Sequence, residues 1–517
     1  MQGIGASALQ RGTRTGRLLV ALLVACGVWA QSPGSAGAQV VGRLGSVPVA
    51  GPVLAGPRVL WGEQVGGRVA LKIADTPADV QTVRVFAPAP HPDVPGQTGV
   101  TLSLAASASY ALVGVENDFL PGSLKGVPYA QEQHVPQPFG GAPSGPLSAV
   151  GPQCRAPDGA PPAVFAGRFL SPVAVSGTVV AYFAGCQQIV VRDLADASVS
   201  SPTLPPDSYA PRVAGRYLAY LQGPPGGDTP GRYSAITVFD RVAGRQVYRF
   251  PAGTIRHEIN DISVGEDGSI AVAYRVNRPP KPEKMGVSVA SVQRPVLRQL
   301  LPVSGHYGIR LAAGRVVLVG QQGPSTGVVS HGQLLVSDLA GHVQMLAAPV
   351  DDQTFFGRRF DWDGQNVTWV TRTCDQALIN VAPLSGVRSE RHDLRHCRLL
   401  LSSPPRVRHR QVQLHIACLG LTPVCIADHT RVLAIGPIAG RRGVLIAKTK
   451  SDYWGGSEGG FTIVPLTTAG KRLLAHHHRV RVRISTRLGD DLRFNYPFVR
   501  TPIRTVETML TVAAGRH

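Results

Sequence analysis

Val213-Ala214-Gly215-Arg216-Tyr217-Leu218-Ala219-Tyr220 runs on to Ile236-Thr237-Val238-Phe239-Asp240. A turn residue precedes a short apolar strand, a polar loop follows, and a second apolar strand ends on Asp. The same order recurs at Val175-Ser176-Gly177 through Tyr182, which leads to Ile189-Val190-Val191-Arg192-Asp193. It recurs again at Leu311-Ala312-Ala313-Gly314 through Leu318, which leads to Leu334-Leu335-Val336-Ser337-Asp338. Short apolar runs bounded by Gly, Asp and Asn are the signature of antiparallel hairpins.

Weaker copies surround these three. Glu266-Asp267-Gly268 opens one, and Asp363-Gly364-Gln365-Asn366 opens another. Near the front stand Gly56-Pro57-Arg58-Val59-Leu60-Trp61 and Ala108-Ser109-Tyr110-Ala111-Leu112-Val113; near the back stands Arg410 through Ala417. Landmark spacings such as Gly177 to Gly215 and Gly268 to Gly314 fall near the period of about 40–50 residues expected of four-stranded propeller blades. A lone blade leaves both apolar faces wet, whereas a ring of blades covers them. Runs apolar on both faces, such as Ile189-Val190-Val191, suit the inner strands of such blades.

The frame S/A-x-G-x-x-(V/L)-A-Y followed by I-x-V-x-D-L resembles the repeat of TolB-like (WD-like) bacterial β-propellers. That resemblance implies an all-β fold and leaves function open. Gly177, Gly215 and Gly314 keep the turn glycine, and only Asp267-Gly268 and Asp363-Gly364 keep the Asp-Gly pair of the best such repeats. Eight landmarks predict a β-propeller of seven or eight four-stranded blades over residues 39–440. A basic β extension, 441–517, then closes the ring or flanks it, with Val480-Arg481-Val482-Arg483-Ile484 alternating as a strand with one solvated face.

The N-terminus predicts export. Arg11, Arg14 and Arg17 precede the uncharged run Leu18 to Ala30, and a polar breaker and Ala36-Gly37-Ala38 follow. Charge, short apolar core and small-residue site come in the order of a secretory signal peptide over residues 1–38. Leu23-Val24-Ala25-Cys26 offers the alternative of a lipobox, in which Cys26 is acylated and the protein is tethered to a membrane. The expected location is secreted or extracytoplasmic.

Beyond Cys26 there are six cysteines: Cys154, Cys186, Cys374, Cys397, Cys418 and Cys425. An even number in an exported chain points to disulfides, with free buried cysteines, packed as small apolar residues, as the alternative. Local pairs are favoured, namely Cys154–Cys186, Cys374–Cys397 and Cys418–Cys425. No C-x2-C spacing points to zinc.

The formal charge is +20, and it is unevenly spread. Residues 388–517 hold 22 Lys+Arg against 8 Asp+Glu. Arg406, Arg408, Arg410, Lys471, Arg472, Arg479, Arg481 and Arg483 are therefore the candidate residues for a polyanion, such as an anionic cell-wall or membrane-surface ligand. Export argues against intracellular nucleic acid. A solubilising basic face is the competing explanation.

Tests for chemistry find no catalytic set, cofactor or metal. Gly455-Gly456-Ser457-Glu458-Gly459 matches G-x-S-x-G, but a nucleophile elbow needs a helix after the serine and Phe461-Thr462-Ile463 reads as a strand. His476-His477-His478 chelates poorly if extended, because neighbours on a strand face opposite ways. Asp361-Trp362-Asp363-Gly364 hints at a calcium loop but lacks the distal acid. Asp193, Asp240 and Asp338 fit turn-stabilising roles. The expectation is a non-catalytic binding or scaffolding propeller for an unknown protein or envelope polymer. The alternative is an extracellular hydrolase or lyase working in the central funnel.

Overall fold

The structure is a computed structural model. It describes residues 38–45, 48–86, 89–90, 98–99, 101–108, 110–116, 132–135, 148–149, 173–183, 189–195, 202, 204–205, 208–223, 235–251, 258–276, 284–303, 308–320, 331–351, 360–373, 375–387, 397–419, 425–440, 442–449, 453–455, 460–489 and 503–512. The signal and lipobox readings, with Cys26, lie outside these residues, as do Cys154, Cys186 and Cys374.

Hairpin turns fall where the glycine landmarks stand. Ser176 pairs with Val179 and Ala214 with Tyr217, so Gly177-Thr178 and Gly215-Arg216 are two-residue turns. Gly177 and Gly215 have φ of 57° and 51°, the left-handed region such turns require. The repeated aspartates stabilise the next turn along. Asp240 accepts from the N–H groups of Val242 and Ala243, and Asp338 from those of Ala340, Gly341 and His342. Asp193 accepts from Ala195 N–H and the Thr178 hydroxyl.

These hairpins build six four-stranded sheets and one three-stranded sheet among the described residues. In chain order their inner strands are Ala50–Ala55, Thr101–Ala106, Val173–Ser176, Ser208–Ala214, Glu258–Val264, Ile309–Ala312 and Phe360–Trp362. We number the sheets 1 to 7 in that order; sheet 3 is the three-stranded one. Each inner strand packs beside the next, and the last returns to the first. Between neighbouring sheets lies an apolar cluster. Sheets 1 and 2 share Leu60, Leu71, Leu102 and Val113, while sheets 7 and 1 share Val41, Ile379, Leu54 and Trp61. The fold is an all-β propeller.

The ring closes at its N-terminal end. Gln39–Leu44 pairs antiparallel with Ala377–Pro383 as the outermost strand of sheet 7. The basic C-terminal strands therefore do not supply the closing strand.

Residues 398–434, which the repeat spacing counts with the propeller, pair with the C-terminal strands instead. The eighth landmark, Arg410 to Ala417, lies in this second sheet. A turn followed by an apolar strand is common to any antiparallel hairpin, so the frame alone did not separate the two bodies. The strand order is Val444–Lys448, Cys425–Ala434, Arg479–Gly489, Ile503–Val512, Arg398–Arg408, Gln411–Leu419, Gly460–Pro465, with Tyr453–Gly455 beside the second. The ends of this path meet: Ala447 bridges Leu466, and Thr467 N–H donates to Ile446 C=O at 2.8 Å. The sheet is thus curled into a barrel around one core that includes Val412, Leu414, Val432, Ile446, Val464, Val480, Val482 and Leu510.

One helix, α1 (Thr468–His476), packs Leu474 into that core. Thr467 caps it, its hydroxyl accepting from Gly470 N–H. A Cβ at Gly470 would strike the Ile446 backbone, so the helix sits this close only with glycine there. The expectation of a β extension over 441–517 includes no helix here. At nine residues the helix is too short to declare its period clearly. Among the described residues no helix is long and apolar enough to cross a membrane.

Candidate functional site

Among the described residues, charge gathers at the inner ring of the propeller and on the outer face of the barrel.

At the ring, Arg212 on the inner strand of sheet 4 donates to Asp261 on that of sheet 5 at 2.8 Å. Both are buried, at 3% and 0% exposed. Arg212 also donates to the carbonyls of Ile262 and Pro211. Asp261 accepts further from Ile262 N–H at 2.9 Å and, from sheet 6, Ile309 N–H at 3.0 Å. The next residue, Arg310, donates to Asp361 on sheet 7, and Asp361 accepts Leu54 N–H from sheet 1 at 2.9 Å. Arg and Asp thus alternate across four consecutive sheets, and each carboxylate also takes a backbone N–H from the sheet beyond its own.

Burial pushes the Arg212 guanidinium down, the Asp261 carboxylate beside it pulls it back up, and the Arg310 charge lowers it again. The belt joins sheets. Sequence order could not reveal it, because its partners stand about 50 residues apart. Asp361, one half of the calcium hint, is consumed here. Asp363, the other half, accepts from Gln365 N–H and Asn366 N–H as a turn residue. Among the described residues no three His, Cys, Asp or Glu side chains group as a metal site.

On the barrel, alternation sorts strand Arg479–Gly489. Val480, Val482 and Ile484 point into the core, and Arg479, Arg481, Arg483 and Arg487 point out. The neighbouring strand places Thr511, Met509 and Glu507 opposite Arg479, Arg481 and Arg483. On its other side Thr511 pairs with Arg406 in a short parallel seam of two register positions. The seam is short because Pro404 and Pro405 carry no N–H to ladder with. The pairing of Arg398–Arg408 with Gln411–Leu419 shifts register at the same point. A groove of about 610 Å³ opens there, lined by Pro404, Arg406, Arg479, Arg481, Glu507 and Met509.

Glu507 pairs with Arg481 at 3.0 Å and with Arg483 at 2.8 Å. Chiefly through Arg483, its carboxyl is held below the usual range. Arg406 and Arg479 have no ion-pair partner among the described residues.

The structure thus brings Arg406, Arg479, Arg481 and Arg483 of the expected basic set onto one face. Arg408 is exposed further along the Arg406 strand, and Arg410 sits at its hairpin turn with φ of 62°. Lys471 and Arg472 are exposed on α1. His476 ends that helix and His477 follows as its cap residue, so the histidine run is not extended throughout. Strands flank the G-x-S-x-G stretch on both sides, Tyr453–Gly455 before and Gly460–Pro465 after, with Ser457 outside the described residues. Cys397 is buried and disulfide-bonded. Its carbonyl accepts from Arg504 Nε at 2.7 Å. Cys418 and Cys425 lie on barrel strands.

No family model matches the chain, and no curated protein matches it. Solved structures similar to it include an acylaminoacyl peptidase of Pyrococcus horikoshii, at 11% identity and a TM-score of 0.36. That alignment covers 76% of this chain and 58% of the peptidase, so the chain spans less than two thirds of that protein's length. The β-propeller domain of the trilobed protease from Pyrococcus furiosus is 10% identical, with 69% of this chain and 97% of that domain covered and a TM-score of 0.34. BamB from Moraxella catarrhalis is 9% identical, with 65% and 86% covered and a TM-score of 0.32.

Proposed function

We propose that this protein is an exported, TolB-like β-propeller that binds or scaffolds a partner in the cell envelope or outside the cell without catalysing a reaction. The observation that carries this reading is the engagement of the inner carboxylates by neighbouring sheets. Asp261 and Asp361 are each committed to an arginine and to backbone N–H groups of neighbouring sheets. A general acid or base needs a free, tunable proton site within reach of substrate. In our reading the three-stranded sheet counts as a blade, which gives the ring seven. The export part rests on the order of charge, apolar core and small residues over 1–38.

The test pairs retention with turnover. The purified mature protein is incubated with envelope material and with chromogenic peptide, ester and glycoside substrates. A binding role predicts stoichiometric recovery of an unchanged partner and no released product. Product released catalytically, and lost on replacing a ring side chain, would support the hydrolase or lyase alternative instead.

A further inference from the structure

We infer that the groove between Arg406 and Arg479 on the barrel is a binding site for the phosphate groups of a linear phosphodiester polymer. This holds whether or not the propeller is catalytic, because it rests on the barrel alone.

Three features lead to this chemistry. First, Arg406 and Arg479 flank Thr511 from opposite sides and line one groove, and neither has a carboxylate partner among the described residues. A guanidinium fork saturates the two oxygens of a carboxylate by itself. Two forks facing one gap suit a tetrahedral oxyanion, which presents more oxygens than one fork can occupy. Second, the outward arginines continue as a line. Arg479, Arg481 and Arg483 occupy alternate positions of one strand, a repeat of about 6.8 Å at a rise of 3.4 Å per residue. A straight, evenly spaced row matches a linear chain with one charge per short repeat better than an isolated ion. Third, Glu507 pairs with Arg481 and Arg483, leaving Arg406 and Arg479 as the pair with no carboxylate partner among the described residues. The polymer first meets that pair and then competes with Glu507 for the rest of the row.

The experiment measures binding of poly(glycerol phosphate) to the full mature chain at two salt concentrations. Polygalacturonate and phosphatidylglycerol vesicles serve as the carboxylate and lipid comparators. Replacing both arginines (R406A with R479A) should weaken poly(glycerol phosphate) binding at least tenfold and flatten its salt dependence, since fewer counterions are then released. Arg315→Ala, at the exposed start of propeller strand Arg315–Gly320, should leave it unchanged. Glu507→Gln should tighten binding several-fold by freeing Arg481 and Arg483. Arg406→Lys with Arg479→Lys keeps the charge and loses the forks; it should recover less than half of the lost affinity and guards against a folding defect. Unchanged binding in the double alanine variant would overturn the assignment. So would equal or tighter binding of polygalacturonate or of the vesicles, or weaker binding in Glu507→Gln.

Discussion

Asp261 takes a guanidinium and two backbone N–H groups, one of them from the next sheet, with no exposed surface. Removing one partner of a buried ion pair strands the other charge. Asp261→Ala should therefore cost about 3–5 kcal/mol, read as a lowered urea midpoint of the propeller. Replacing Arg212 as well, with Leu, should recover much of that loss. A second residue-scale prediction concerns acid. Asp240 sits below the usual carboxylate range, chiefly through its hydrogen bond from Arg216. A carboxyl depressed by folding adds stability above its unfolded pKa of about 3.9, and this is lost as pH falls through the folded value. Between pH 5 and pH 2 the melting temperature of the wild type should thus fall more steeply than that of Asp240→Asn. Parallel curves would contradict that role for Asp240. The turn aspartates were legible in the sequence because their partners are local. The ring pairs were not, because each joins inner strands about 50 residues apart.

At the scale of elements, hairpins carried the clearest signal. Gly177, Gly215 and Gly314 stand in the left-handed region where the repeat frame put turns. Two elements escaped that frame. The closing strand Gln39–Leu44 has no turn landmark of its own and finds its partner more than 300 residues away. Deleting residues 39–44 should expose the edge of Ala377–Pro383, lower the melting temperature and promote association, measured by calorimetry and light scattering. Retained stability and a monodisperse monomer would argue against closure by this strand. The helix α1 also escaped, though its capping threonine and the pair Leu473-Leu474 are visible in hindsight. Gly470→Ala should destabilise the barrel by about 1–3 kcal/mol through overpacking against the Ile446 backbone.

For the whole molecule, composition already divided the chain. The excess of arginine after residue 388 is the electrostatic counterpart of the barrel, although the boundary falls nearer Arg398 than 441. The propeller class was readable because a repeated supersecondary unit leaves a period. The barrel was not, because its strand order interleaves early and late segments and pairs one of them in parallel. Two bodies with separate cores should unfold in two calorimetric steps, and the Arg406 and Arg479 replacements should leave the propeller step unmoved. We further propose Cys374 as the disulfide partner of Cys397, stapling the last sheet to the first barrel strand. Peptide mapping without reduction should recover that pair.

We propose that the propeller ring binds its partner without turnover. The measurement closest to it counts product released per molecule of mature protein against partner retained. Our account predicts one unchanged partner held per chain and no product above the spontaneous rate. Product accumulating beyond one equivalent, at a rate proportional to protein, would contradict it.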